Sequence, residues 1–223
     1  MGYALAQDCH FCISGGRAVI IDVRRDTFFA LPHVLERAFS QARLGEELGE
    51  QGVAALQYLC RKQILKMNEE PTDLQPSRLP HPPSRSFADV GEPRWKARDI
   101  PLCVIRLAIA RHVLARHGLA KAVDKIRALK APLATPPVTG ESHALIEAIA
   151  SFHLLSDWGG SYNLCLRRSF ALAFHLVKSG VAVQLVIGVM MRPFAAHCWV
   201  QLGDLVLNDR VEVVRDYTPL LIV

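Results

Sequence analysis

A chain of 223 residues with 51% hydrophobic and 21% charged residues has enough apolar surface for a sizeable core in one or two domains, which excludes a disordered or low-complexity protein. Its net charge of +5 is uneven: −1 over residues 1–80 and +6 over 81–223, with ten basic residues in 94–130 beside only Asp99 and Asp124. A nucleic-acid-binding charge is therefore absent from the N-terminal part, and the basic stretch reads as a solvated helix face or a surface for an acidic partner.

The first residues, MGYALAQDCHFC, lack a basic n-region and an apolar h-region, so no secretion signal is expected. No stretch approaches eighteen uninterrupted apolar residues, so no membrane span is expected either. Six cysteines at 9, 12, 60, 103, 165 and 198 follow no disulfide framework and fit reduced thiols in a cytoplasm. HFCIS (10–14), a Gly15-Gly16 turn, RAVIID (17–22), a turn at 24–26 and TFFAL (27–31) predict a three-stranded meander. From Pro32 the apolar period becomes helical in PHVLERAFSQA, a short LGEELG and GVAALQYLCRK, which gives a β-β-β-α-α-α, winged-helix-like module over residues 1–78.

Seven prolines between Glu70 and Pro101 (71, 76, 80, 82, 83, 93 and 101) mark residues 79–100 as a linker. Beyond it, residues 101–118 form an amphipathic helix that breaks at Gly118, 119–129 continue as a second helix, and 139–155 form another with Thr139 or Ser142 as N-cap. A Gly-rich loop, SDWGGSY (156–162), then delivers LCLRRSFALAFHL (164–176), a helix opened by Cys165 and stopped at Ser179-Gly180. VAVQLVIGV (181–189) and AHCWVQL (196–202) read as strands, and LVLND (205–209) follows a Gly203-Asp204 turn. The expected class is α+β, with helices first and an antiparallel sheet after them in residues 101–223.

Cys165, His197 and Asp209 occur in that order on successive elements, which is the order a cysteine peptidase or transamidase requires. A helix N-terminus favours the thiolate of Cys165. Strand parity sets a condition on the other pair: a three-residue or bulged loop puts His197 opposite Asp209, whereas a two-residue Gly203-Asp204 turn puts it opposite Arg210. Asn163 or Trp158 would supply an oxyanion donor beside the backbone N–H of Cys165. Asp216 is an alternative orienting carboxylate. His153 and His175 read as structural, and Asp204 as a turn residue. Cys9-x-x-Cys12 is half of a zinc set without a second pair, so no metal is expected, nor any cofactor.

These residues carry a resemblance. The helix LCLRRSFALAFHLVKSG with Cys165, the strand VAVQLVIGV, AHCWVQL with His197 and LVLND with Asp209 resemble the transglutaminase-like leader peptidases of lasso-peptide biosynthesis, the B proteins. The β-β-β-α-α-α order and TFFALP of the first half resemble the PqqD-like precursor-recognition element fused ahead of such peptidases. Cys198, beside the histidine, departs from the pattern and is given no role.

The resemblance implies a transglutaminase/papain-like cysteine peptidase domain that cuts a leader from a ribosomally made precursor, with a separate ATP-using cyclase as a second partner. It also implies leader binding at the first module. There the third strand, with Thr27, Phe28, Phe29 and Ala30, offers an edge to which a peptide adds, while Leu56 and Leu59 line an apolar groove. Two other classes use the same features: an acyl transferase or transglutaminase, in which an amine replaces water, and a non-catalytic winged-helix regulator bound to DNA.

Overall fold

A computed structural model describes residues 2–70, 72–89, 95–133, 143–157 and 165–223. The chain opens with strands β1 (Gly2–Leu5), β2 (Cys9–Ser14), β3 (Arg17–Asp22) and β4 (Thr27–Ala30), helices α1 (His33–Leu44) and α2 (Glu50–Arg61), and strand β5 (Leu65–Asn68). The expected meander is present, in the order β2-β3-β4. Gly15 and Gly16 both take positive φ (55° and 76°) in its first turn, the conformation that a tight hairpin demands and that other residues resist.

Two corrections apply to this module. β1 and β5 form a second, two-stranded antiparallel sheet, and the short middle helix is absent. Gly45 (φ 73°) ends α1 in the left-handed conformation, with its N–H bonded to Ala42 O, and Gly49 caps α2. The residues between them are too few for a turn of helix. The order is therefore β-β-β-β-α-α-β rather than the expected β-β-β-α-α-α winged-helix-like one.

The meander is buried on both faces, and alternation along β3 assigns each side chain to one of two cores. Ala18 and Ile20 join Phe11, Leu31, Phe39, Leu56 and Leu59 beneath α1 and α2. Val19, Ile21 and Cys12 join the core of the C-terminal half. The two halves thus share packed apolar surface, which an N-terminal module swinging on a loose tether would not do.

The Pro-rich segment is laid across the C-terminal half as an extended strap. Ser77 N–H donates to Phe11 O (2.8 Å), Ser77 Oγ to Leu220 O (2.7 Å), and Ser84 N–H to Asp204 O (2.9 Å). Strand β6 (Arg85–Ser86) lies within it. Arg85 grips the Asp204 carboxylate at 3.1–3.2 Å, and those bonds, with one from Ser84, hold the Asp204 pKa at about 2. The turn residue is thus also the anchor of the strap. Pro71 and Pro93 of this stretch lie outside the described residues, as do Pro136, Pro137, Thr139 and Ser142.

The C-terminal half adds α3 (Ile100–Lys130), α4 (His143–Asp157), α5 (Cys165–Lys178), β7 (Gln184–Met191), β8 (Phe194–Leu202), β9 (Leu205–Val206), α6 (Val211–Val214) and β10 (Thr218–Ile222). The break expected at Gly118 is present inside α3, where that residue has φ 69° and ψ −172°. β6 joins these strands in a sheet of order β10-β7-β8-β9-β6, with β6 parallel to β9 and the other neighbours antiparallel. α5, buried on all sides from Ser169 to Val177, is packed between α3 and this sheet, and its first residue lies beside β8. Among the described residues no helix is long and apolar enough to cross a membrane.

Candidate active site

β8 pairs with β7 from Phe194 to Gln201 but with β9 only at Gln201 and Leu202. Its outer edge from 197 to 200 is consequently open, and its backbone groups must find other partners. Val200 O accepts from Leu207 N–H at 2.8 Å. Val200 N–H donates to Asn208 Oδ1 at 2.7 Å, and Cys198 O accepts from Ser169 Oγ at 2.7 Å. Cys198 N–H is directed at the sulfur of Cys165, the first residue of α5. The helix N-terminus, the strand edge and the chain after β9 therefore meet at one place.

His197 stands on β8 with its Nε2 2.5 Å from Asp209 Oδ2, and its side chain is within hydrogen-bonding reach of Cys165. The pair forms although the parity condition is not met. Leu202 pairs with Leu205 and Gln201 with Val206 across a clean two-residue Gly203-Asp204 turn. The expectation that such a turn forbids the contact is corrected, because parity governs only residues inside a ladder. The β8–β9 ladder ends at Val206, the chain bends over 207–209, and Asp209 is brought round to Nε2 of the imidazole.

The electrostatics follow from these contacts. Burial opposes a charge on Cys165, yet a hydrogen bond from His197, the charge of His197 and the N–H groups of Cys198 and Leu166 outweigh it, so the thiol pKa is lowered. Burial likewise opposes a charge on His197, but hydrogen bonds to Asp209 and Cys165 and the charges of both raise its pKa to about 9. Opposite shifts of this kind favour a thiolate–imidazolium pair over the neutral pair. The other cysteines move the opposite way: burial pushes Cys9 and Cys103 up to about 11 and Cys12 up to about 12. Burial, then the charge of Cys165, also raises Cys198.

An aromatic platform backs the imidazole. The ring of His197 tilts against Tyr217 with centroids 5.1 Å apart and stacks on Trp199 at 6.3 Å. Trp199 is fully buried and donates through Nε1 to Gln201 Oε1 at 2.9 Å, while Gln201 Nε2 donates to His81 O of the strap at 3.1 Å. Gly188, the cross-strand partner of His197, makes room for these rings. A Cβ there would meet Trp199 at 2.8 Å and the Tyr217 Cβ at 2.9 Å. Gly188→Ala is therefore expected to cost about 1–3 kcal/mol by overpacking and to displace His197. Thermal melting and the rate of Cys165 alkylation check the two effects separately.

The remaining expected residues divide. Thr27, Phe29 and Leu59 line a cavity of about 480 Å³ with Leu35, Tyr58 and Arg61, along the edge of β4 that does not face β3. Leu31 N–H bonds Ala18 O, so alternation turns the backbone groups of Phe28 and Ala30 outward along that edge. Two assignments need correction: Leu56 is fully buried in the module core and does not line the cavity, and the Phe28 side chain packs against the other core. Phe28 and Phe29 are both partly buried because both faces of the meander are covered.

Asp216 is exposed, and the carboxylate bonded to His197 is that of Asp209. Cys9 and Cys12 fall on opposite faces of β2, which does not suit two ligands of one ion. Trp158, Asn163 and most of the Gly-rich loop lie outside the described residues. Sequence reasoning missed Ser169, Asn208 and the bond of His153 Nε2 to Leu207 O (2.7 Å). The polar Ser169 inside an apolar helix face was the available signal.

A family model described as the Transglutaminase-like superfamily matches residues 102–222. The chain is also similar to the Microcin J25-processing protein McjB of Escherichia coli, with 33% identity over 69 residues, covering 31% of this chain and 33% of that protein. The match thus spans about a third of the curated relative's length. No solved structure matched the chain.

Proposed function

Given that the chain belongs to the transglutaminase-like superfamily, whose model matches more than half of it, we propose that it is a cysteine peptidase that removes the leader from a lasso-peptide precursor. The observation that carries this reading is the meeting of Cys165, His197 and Asp209, with the thiol pKa lowered and the imidazole pKa raised. The similarity to a microcin-processing protein supports the substrate class.

In this mechanism the Cys165 thiolate attacks the carbonyl carbon at the leader–core junction and forms a C–S bond. Backbone N–H groups at the start of α5, that of Cys165 included, receive the developing oxyanion. As the C–N bond breaks, the His197 imidazolium gives its proton to the leaving amine, which is the new N-terminus of the core. Water, deprotonated by the now neutral His197, attacks the thioester. This releases the leader as a carboxylic acid and restores the ion pair. Asp209 keeps the ring oriented and stabilises its charged form. The freed core amine then passes to a separate ATP-using cyclase that closes the macrolactam.

The leader adds as a strand to the open edge of β4, with its side chains seated in the cavity lined by Phe29, Leu59 and Tyr58. Ala30→Pro removes an outward N–H and obstructs strand addition without deleting a β3–β4 bond. It is expected to weaken precursor binding by roughly tenfold, about one hydrogen bond's worth. Fluorescence anisotropy with labelled precursor reads this, and unchanged affinity would move the leader elsewhere.

The reading as a whole is tested by incubating the protein with a full-length lasso-precursor peptide, leader included, and following cleavage. Intact precursor, under conditions where it binds, speaks against a peptidase.

A further inference from the structure

The contact between Asp209 and His197 depends on residues outside the triad. In a ladder that continued the register Gln201↔Val206, Val200 and Leu207 would exchange two backbone bonds. Only one is made, from Leu207 N–H to Val200 O at 2.8 Å. Val200 N–H turns instead to Asn208 Oδ1 at 2.7 Å. The Leu207 carbonyl, released from the ladder, accepts from Nε2 of His153 at 2.7 Å, whose ring stacks on Phe87 with centroids 5.5 Å apart.

The other end of the Asn208 amide is fixed as well. Nδ2 donates to Ser169 Oγ at 2.8 Å, and that hydroxyl donates to Cys198 O at 2.7 Å. The amide orientation is unambiguous on chemical grounds, since the reverse would set two N–H donors face to face at Val200. Ser169 is fully buried and lies four residues after Cys165, one turn along the same helix face. A single chain of hydrogen bonds thus ties the helix of the thiol to the strand of the imidazole and to the bend of the carboxylate.

We propose that Asn208, held by Ser169, is a positioning residue: its side chain replaces the next rung of the β8–β9 ladder and so turns Asp209 onto His197. The proposal rests on reading Cys165, His197 and Asp209 as the reactive set. The Asn208 amide oxygen satisfies Val200 N–H while breaking the ladder. Without it the strand is free to continue in register and carry Asp209 to the opposite face.

The test needs no substrate. It is the pH dependence of Cys165 alkylation by iodoacetamide in the full chain, read by mass spectrometry on the peptide that carries Cys165. Wild type is expected to show an inflection below the ordinary thiol range. Asn208→Leu is expected to move that inflection upward, slowing alkylation at about pH 6 by about tenfold, the consequence of a displacement of one pH unit. Asn208→Asp keeps an acceptor for Val200 and is expected to move it less. A wild-type inflection in the ordinary thiol range overturns the triad reading and the proposal with it. A low wild-type inflection that Asn208→Leu leaves in place, while its melting temperature falls, makes Asn208 a residue of the fold alone and overturns the proposal by itself. Should Asn208→Leu fail to fold, Ser169→Ala removes only a hydroxyl and carries the same expectation and the same refutation.

Discussion

Cys165→Ala is expected to leave precursor peptide uncut, with a loss of at least roughly 10⁴-fold in turnover, as for removal of a nucleophile that works as one unit with its base. The fold should survive, because Cys165 is only partly buried and its helix is held by Phe170, Ala171 and Phe174 rather than by the sulfur. Binding of the precursor should persist too, since the open edge of β4 is formed by a different part of the chain. Thermal melting, anisotropy and cleavage assays on one preparation separate these three quantities. Loss of binding along with cleavage would mean that the thiol supports the structure and would remove the ground for the assigned role.

Asp209→Ala comes second in expected size, lowering turnover by roughly 10²–10⁴-fold through loss of ring orientation and of charge stabilisation. Its signature is in the pH profile. The hydrogen bond and charge of Asp209 are two of the causes that raise His197 to about 9, so removing them lowers the imidazole pKa. The thiolate–imidazolium pair exists between the lowered thiol value and the raised imidazole value. The alkaline limit of activity should therefore move down from about pH 9. Asp209→Asn, which still offers an oxygen to Nε2, should fall between wild type and alanine. An unchanged alkaline limit in Asp209→Ala would show that another group holds the imidazole.

Two of the three candidate residues were legible because each announced itself locally. Cys165 opens an apolar-periodic run that Gly180 closes, and His197 sits in a segment of alternating strand character. Asp209 was found by position, and the parity rule applied to it was sound physics used beyond its range. A two-residue turn does exclude the pair inside a ladder, but LVLND was read as five strand residues when only Leu205 and Val206 pair. What ends the ladder is a side chain, Asn208, and the partner that holds it, Ser169, lies thirty-nine positions away. No local pattern reveals a bond of that separation.

The same distinction explains the strap and the module. Prolines marked 79–100 as irregular, but the bond of Arg85 to Asp204 and the pairing of β6 with β9 link residues about 120 positions apart. Arg17–Asp22 was read as a strand between two turns, and both parities are apolar in RAVIID. That composition already signals a sheet covered on two faces rather than one. The second cover is the C-terminal half itself, so the open edge of β4 and the Cys165–His197–Asp209 site belong to parts that pack together rather than to freely tethered domains.

The mass of the product made by wild-type protein from a full-length precursor tests the central claim most directly. Hydrolysis at the leader–core junction through Cys165 predicts two fragments whose masses sum to that of the precursor plus one water, with the leader fragment ending in a free carboxylate. A leader joined to an added amine in place of water would make the chain an acyl transferase. Precursor that remains whole while bound would contradict the account altogether.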